Sequence, residues 1–278
     1  MLSATAQYAG ATIAVHLFAE VAPATVAWIR VIGAATALLV VSAPHLLGRG
    51  RRRFTRGELL SLSVFGIATA LMNMFFYLAI DRLPLGKGVA IEFIGPIAVA
   101  AFFTRTRRNW TALGFAAAGV SVLSGVEIGG EPLGLLYIFA ASVMWAVYIV
   151  IGSRVARNNH GVSGLGLGLV VGTLVVAPVG APGSGDVWTS PRLLVLCLLV
   201  GVLSNAIGYG IDQFTMRRIP MRRFSVLLAL LPVTATLSGF IALDQTPSVI
   251  DLVGIALVLA GVVTQEREEI PAAVDPRQ

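Results

Sequence analysis

Residues 85–103 read LGKGVAIEFIGPIAVAAFF, and two features of that line decide how the chain folds. The stretch is apolar almost throughout, and about 20 such residues are what a helix needs to cross a bilayer core. Yet it carries a carboxylate, Glu92, four positions before Pro96. Proline has no amide hydrogen, so the carbonyl of Glu92 loses its helical partner at the very residue that brings a charge. Gly95 loosens the helix further. A carboxylate inside hydrocarbon costs about 3 kcal/mol or more unless it is paired or faces water. A freed carbonyl is tolerated there only against protein or a wet cavity. The stretch reads as a spanning helix interrupted at the point where it does its work.

The rest of the chain agrees. Hydrophobic residues make up 56% and charged residues 12% of the 278, whereas a soluble domain carries about 25% charged. No polar stretch is long enough to wrap a soluble core, so a water-soluble fold is excluded. Ten segments approach spanning length: 2–19, 23–47, 59–80, 85–103, 110–126, 133–152, 162–181, 193–216, 224–243 and 249–265. The first has no basic flank and is read as a span, not as a secretory signal. Cys197 has no partner for a disulfide and reads as a packing residue.

The net charge of +6 does not point to nucleic acid, because the arginines are dealt out to separate short loops. Arg49, Arg51, Arg52, Arg53 and Arg56 follow span two, and Arg105, Arg107 and Arg108 follow span four. Arg154 and Arg157 follow span six, and Arg217, Arg218, Arg222 and Arg223 follow span eight. With Arg267 and Arg277 in the tail, sixteen of the 20 lysines and arginines lie on one side. The other side holds Arg82, Lys87 and Arg192 among most of the loop acids. The positive-inside rule makes both termini cytoplasmic in a multi-pass inner-membrane protein. The tail, 266–278, is polar and contains two prolines, which is the composition of a disordered end.

A short internal echo divides the chain. Ala79-Ile80-Asp81-Arg82-Leu83-Pro84, with Pro96 twelve residues on, returns as Thr215-Met216-Arg217-Arg218-Ile219-Pro220, with Pro232 at the same interval. Five spans per half is an odd number, so the second half must sit upside down relative to the first. The expectation is an all-α membrane protein of ten transmembrane helices in two inverted five-helix repeats, 1–130 and 131–265. Pro232 should interrupt span nine as Pro96 interrupts span four, freeing the carbonyl of Leu228.

Ionisable groups inside spans mark function. Arg30 and Glu92 each lie seven residues past the outer end of a span running inward, which at 1.5 Å per residue is about 10 Å deep. Span three runs the opposite way and brings Asn73 to the same layer. Tyr77 lies one turn further out, and His16 is in the outer half of span one. The candidate site is therefore Glu92, Arg30, Asn73, Tyr77, Pro96, Trp145 and His16, binding a small polar substrate and protons. The blander alternative is a buried Arg30–Glu92 pair that only fixes helix register. Asn73 and Tyr77 could equally link helices, and His16 could simply pack. Asp212, beside Arg217 and Arg218, reads as an interfacial carboxylate.

Other chemistry finds less support. Gly164, Gly168 and Gly172 give span seven a smooth face for close packing. Gly161-Val162-Ser163-Gly164 matches the Gly-x-Ser-Gly pattern of intramembrane serine hydrolases, but His160 is too close along the chain to form their dyad. No zinc motif, phosphate-binding loop or dinucleotide fingerprint occurs, so neither metal nor cofactor is expected. Efflux of apolar drugs past Phe75, Phe76, Phe93 and Trp145 is the alternative transport reading.

The stretch from Asn73 to Ala101 resembles the threonine and homoserine exporters of the EamA-type drug/metabolite transporter superfamily, with Glu92 to Pro96 as its most specific element. Arg30, the Arg218-Ile219-Pro220 turn and Trp145-Ala146-Val147-Tyr148-Ile149 extend the resemblance over the chain. It implies ten helices in two inverted repeats and export of small amino acids or related metabolites, driven by the proton gradient. Two departures stand out. Leu231 precedes Pro232 where that family often carries glutamate, and the first span is short.

Overall fold

The structure is a computed structural model that describes residues 2–47, 55–104, 106–127, 131–157, 161–207 and 231–264. Among the described residues there is no strand. The helices are α1 (Leu2–Leu17), α2 (Pro23–Leu47), α3 (Arg56–Ile80), α4 (Leu85–Glu92), α5 (Ile94–Thr104), α6 (Arg107–Glu127) and α7 (Pro132–Arg157). They continue as α8 (Gly161–Gly180), the short α9 (Gly185–Thr189), α10 (Pro191–Gly201), α11 (Leu231–Ala242) and α12 (Val249–Thr264). A π-helical segment, Val202–Ile207, continues α10. The 215–220 echo, Asp212, the Leu228 carbonyl and the tail lie outside the described residues, as does the side chain of Ser163.

Span four is two helices. α4 stops at Glu92, Phe93 forms the joint at φ −62° and ψ −14°, and α5 starts at Ile94. The backbone bonds flanking the joint, Phe93 N–H to Val89 and Ile97 N–H to Phe93, are both long at 3.3 Å. The break falls where Pro96 withholds the donor for the Glu92 carbonyl. Helix α3 begins three residues before the expected 59 because Thr55 and Glu58 form a capping box. The Thr55 hydroxyl accepts from the Glu58 N–H at 3.2 Å, and the Glu58 carboxylate accepts from the Thr55 N–H at 2.8 Å.

Helices α3 and α7, α3 and α8, α2 and α8, and α6 and α12 pack along much of their lengths. Small residues set how closely they approach. A Cβ on Gly66 of α3 would overlap the backbone of Gly168 in α8, and one on Gly172 would press on Gly66. The glycine run of span seven thus meets a glycine partner, and van der Waals contact between backbones replaces the hydrophobic drive that lipid cannot supply. Thr25 and Trp28 of α2 donate to the carbonyls of Gly180 (2.8 Å) and Thr173 (3.1 Å) in α8, pinning α2 to α8.

The outside of the bundle is oily. Leu136 of α7, Leu174 of α8, Val195 of α10 and Ile241 of α11 are 62%, 69%, 61% and 70% exposed. Large apolar side chains displayed on so many helices suit lipid, since soluble surfaces rarely carry such contiguous patches. Pro23–Ala43, Arg56–Ile80 and Pro132–Ile151 are long and apolar enough to cross a membrane. Gly164–Gly180, Pro191–Ile207, Leu231–Ala242 and Val249–Thr264 are shorter apolar helices. Charges between spans pair at one end of the bundle: Arg192 holds Glu20 by two bonds of 3.0 and 3.1 Å, and Arg82 reaches Glu131 at 3.5 Å.

Lys87, expected among the loop charges, is instead buried in the first turn of α4 and pairs with Asp251 of α12 at 2.9 Å. Asp251 is also fixed by Ser248, whose N–H and hydroxyl donate to it at 3.0 and 2.8 Å. Nearby, the Gln245 side chain accepts from the Leu85 N–H at 2.9 Å. Lys87 is buried and Asp251 largely so, and removing the carboxylate from such a pair leaves an ammonium in the bundle with less countercharge, at a cost of about 3 kcal/mol. Asp251→Leu should therefore lower the thermal midpoint of the detergent-purified protein markedly, and adding Lys87→Met should restore most of the loss. If the double variant melts no higher than the single one, the ammonium is not what makes Asp251 necessary.

Candidate functional site

Helix α2 carries Arg30 into the bundle. Its side chain is 6% exposed, and the α10 end lies against its backbone because Gly201 has no Cβ to collide with the Arg30 carbonyl. The guanidinium donates through Nε (3.1 Å) and Nη2 (2.6 Å) to one oxygen, Oδ1 of Asn205 in the π-helical segment. Its Cζ sits 4.5 Å from the ring centroid of Tyr77 on α3, a cation–π contact in a desolvated place. Tyr77 is fully buried, with Phe18 edge-on at 5.8 Å and Ser204 next to its hydroxyl.

Glu92, at the end of α4, is 7% exposed. No salt bridge joins it to Arg30 among the described residues. The blander alternative, a closed ion pair fixing register, is not the arrangement seen. Asn73 is buried on α3, but its amide turns back to donate one hydrogen to the Thr69 carbonyl at 2.7 Å within its own helix. Trp145 of α7 stands edge-to-face with Phe93 at 5.0 Å and so walls the helix joint next to Glu92. Gly95, before Pro96, approaches the buried Ser142 of α7 so closely that a Cβ would overlap its carbonyl. His16 is elsewhere: exposed on α1, its Nδ1 2.9 Å from the Thr12 carbonyl, in a surface hollow with Glu20 and Arg192.

The core of the site is thus an unpaired carboxyl and a guanidinium held apart at a broken helix, inside a bundle whose surface suits lipid. Over 258 residues the chain is 33% identical to the threonine/homoserine exporter of Salmonella typhimurium, a match covering 90% of this chain and 84% of that one. The chain belongs to the EamA-like transporter family. Residues 132–264 match that family directly. The threonine/homoserine exporter of Escherichia coli strain K12 is 32% identical over the same shares of the two chains. A solved crystal structure, 20% identical, shares the fold with a TM-score of 0.64 over 94% of each chain.

Two residues of this EamA-like transporter escaped the sequence reading. Asn205 is a neutral amide in an apolar run, and its partner lies 175 positions away. A weak signal existed, since a fully buried amide in hydrocarbon needs a partner, but nothing along the chain says which. Lys87 was counted with the loop residues by its nearness to Pro84.

Proposed function

We propose that this EamA-like transporter exports small amino acids of the threonine and homoserine type from the cytoplasm across the inner membrane, in exchange for protons. The single observation that carries the reading is the buried carboxyl of Glu92, in the same bundle as the buried Arg30 and not paired with it. A zwitterionic amino acid presents the complementary pair of charges. Glu92 takes the substrate amine or a proton in turn, Arg30 holds the substrate carboxylate or restrains Glu92, and Tyr77 and Trp145 shape the space. The relatives' names supply the substrate class, and both termini lie in the cytoplasm by the distribution of arginine.

Alternating access would run on two inverted five-span halves, and the packing supports that symmetry. Pair α1 with α7, α2 with α8, α3 with α10, α4 and α5 with α11, and α6 with α12. Under this exchange the α3–α7 contact becomes α10–α1, α3–α8 becomes α10–α2, and α5–α7 becomes α11–α1. The α2–α8, α4–α11 and α6–α12 contacts map onto themselves. Every one of these contacts occurs.

Inverted membrane vesicles carrying the protein should accumulate labelled threonine or homoserine when their lumen is made acidic. A protonophore should abolish the accumulation. Uptake at the same level with the gradient collapsed would remove proton exchange, and no uptake of either amino acid would remove the substrate class.

A further inference from the structure

The contacts of Arg30 leave an unusual remainder. A guanidinium can only donate, so the Asn205 atom that accepts its Nε and Nη2 must be the carbonyl oxygen, and the amide orientation is fixed. The Asn205 Nδ2 then has two hydrogens to give, and it has no acceptor; neither has Nη1 of Arg30. Both atoms are buried, and Asn205 itself has no exposed surface. The hydroxyl of Tyr77 is the third buried polar atom of the group without an aligned hydrogen bond. Unmade bonds to buried donors are costly, and the cost is greatest around a charged group. One net positive charge and the unused N–H bonds of Nη1 and Nδ2 call for an acceptor that is anionic and can take more than one bond.

We infer that Arg30 Nη1 and Asn205 Nδ2, with the Tyr77 hydroxyl beside them, form a clamp for the free α-carboxylate of the transported amino acid. The inference rests on the proposed amino-acid export and assigns one end of the substrate to named atoms. Carboxylates match such donor pairs in geometry and charge. The π-helical turn at Val202–Ile207 is what carries Asn205 to Arg30, and such turns inside α-helices commonly mark functional positions. Glu92, on α4, is left for the other end of the substrate. In this arrangement the clamp rejects amides and esters of the same amino acid, because both lose the charge, and the amide also offers hydrogens where the site already has too many.

The test is ligand-induced thermal stabilisation of the purified full-length protein by threonine and homoserine, each against its amide, alongside counterflow of labelled threonine in proteoliposomes. The acids should stabilise the native protein and the amides should not. Asn205→Leu should weaken the apparent affinity for threonine roughly ten- to a hundredfold, the worth of a hydrogen bond to a charged group. Asn205→Asp keeps an acceptor for Arg30 while adding a negative charge and removing the donor, so it should fold and lose the preference for acids altogether. If Asn205→Asp still prefers threonine over its amide, or if neither acid stabilises the native protein, the clamp is wrong. Counterflow of threonine with an unaltered acid preference in both variants would leave amino-acid export standing and remove the clamp. Stabilisation by the acids without any counterflow would do the reverse.

Discussion

Proteoliposomes carrying Glu92→Gln are expected to exchange threonine across the membrane and to lose all accumulation driven by a pH gradient. Among the described residues Glu92 is the one acid buried in the bundle. On the proposed exchange its carboxyl serves in two states. Ionised, it is attracted to Arg30 across the gap between them; protonated, it is a neutral group in a largely apolar site, walled at the joint by Phe93 and Trp145. Glutamine mimics the shape of the protonated state and cannot leave it. One unit of pH corresponds to about 1.4 kcal/mol, so a one-for-one exchanger should concentrate substrate roughly tenfold per unit of gradient. In the glutamine variant that ratio should fall to the level of the collapsed gradient. Glu92→Asp, which still ionises, should keep coupling at a reduced rate. An accumulation ratio that tracks the gradient in Glu92→Gln would place the proton on another group.

What the sequence disclosed about this site follows from which forces are local. The break at Phe93 could be read because a missing amide hydrogen acts on the carbonyl four residues back, within one stretch of chain. That Arg30 and Glu92 are both buried could be read because a charge inside an apolar span must turn inward. The capping box at Thr55 is equally local, and it starts α3 at Arg56, ahead of the apolar run that begins at Leu59. Asn205 and Asp251 belong to a different class. Each meets its partner across the bundle, Asn205 with Arg30 and Asp251 with Lys87. Helical periodicity fixes which face a side chain occupies, but not which neighbour it finds there. His16 lies in an apolar run as well, but its helix turns it outward onto its own backbone.

The same distinction sets up the largest stability effect. Gly66→Leu should prevent recovery of a folded, monodisperse protein, because α3 and α8 meet backbone to backbone at Gly66, Gly168 and Gly172. No rotamer of a larger side chain relieves the overlap, since even its Cβ would strike the Gly168 carbonyl carbon and oxygen. The helices would have to separate, and α3 also carries Tyr77 while α8 holds α2, the helix of Arg30. Gly66→Ala, the smallest intrusion, should cost about 1–3 kcal/mol, the usual range for overpacking. Gly114 of α6 supplies the contrast. Nothing lies within 4 Å of a Cβ built there, so Gly114→Ala should stabilise by up to about 1 kcal/mol through helix propensity alone. Thermal midpoints of the two alanine variants in one detergent should thus move in opposite directions from the native value. If both rise, the contact of α3 with α8 is looser than the bare backbones imply, and glycine at 66 is there for flexibility between transport states. In that case Gly66→Ala would gain stability and lose transport rate together, whereas a packing role predicts that it loses both.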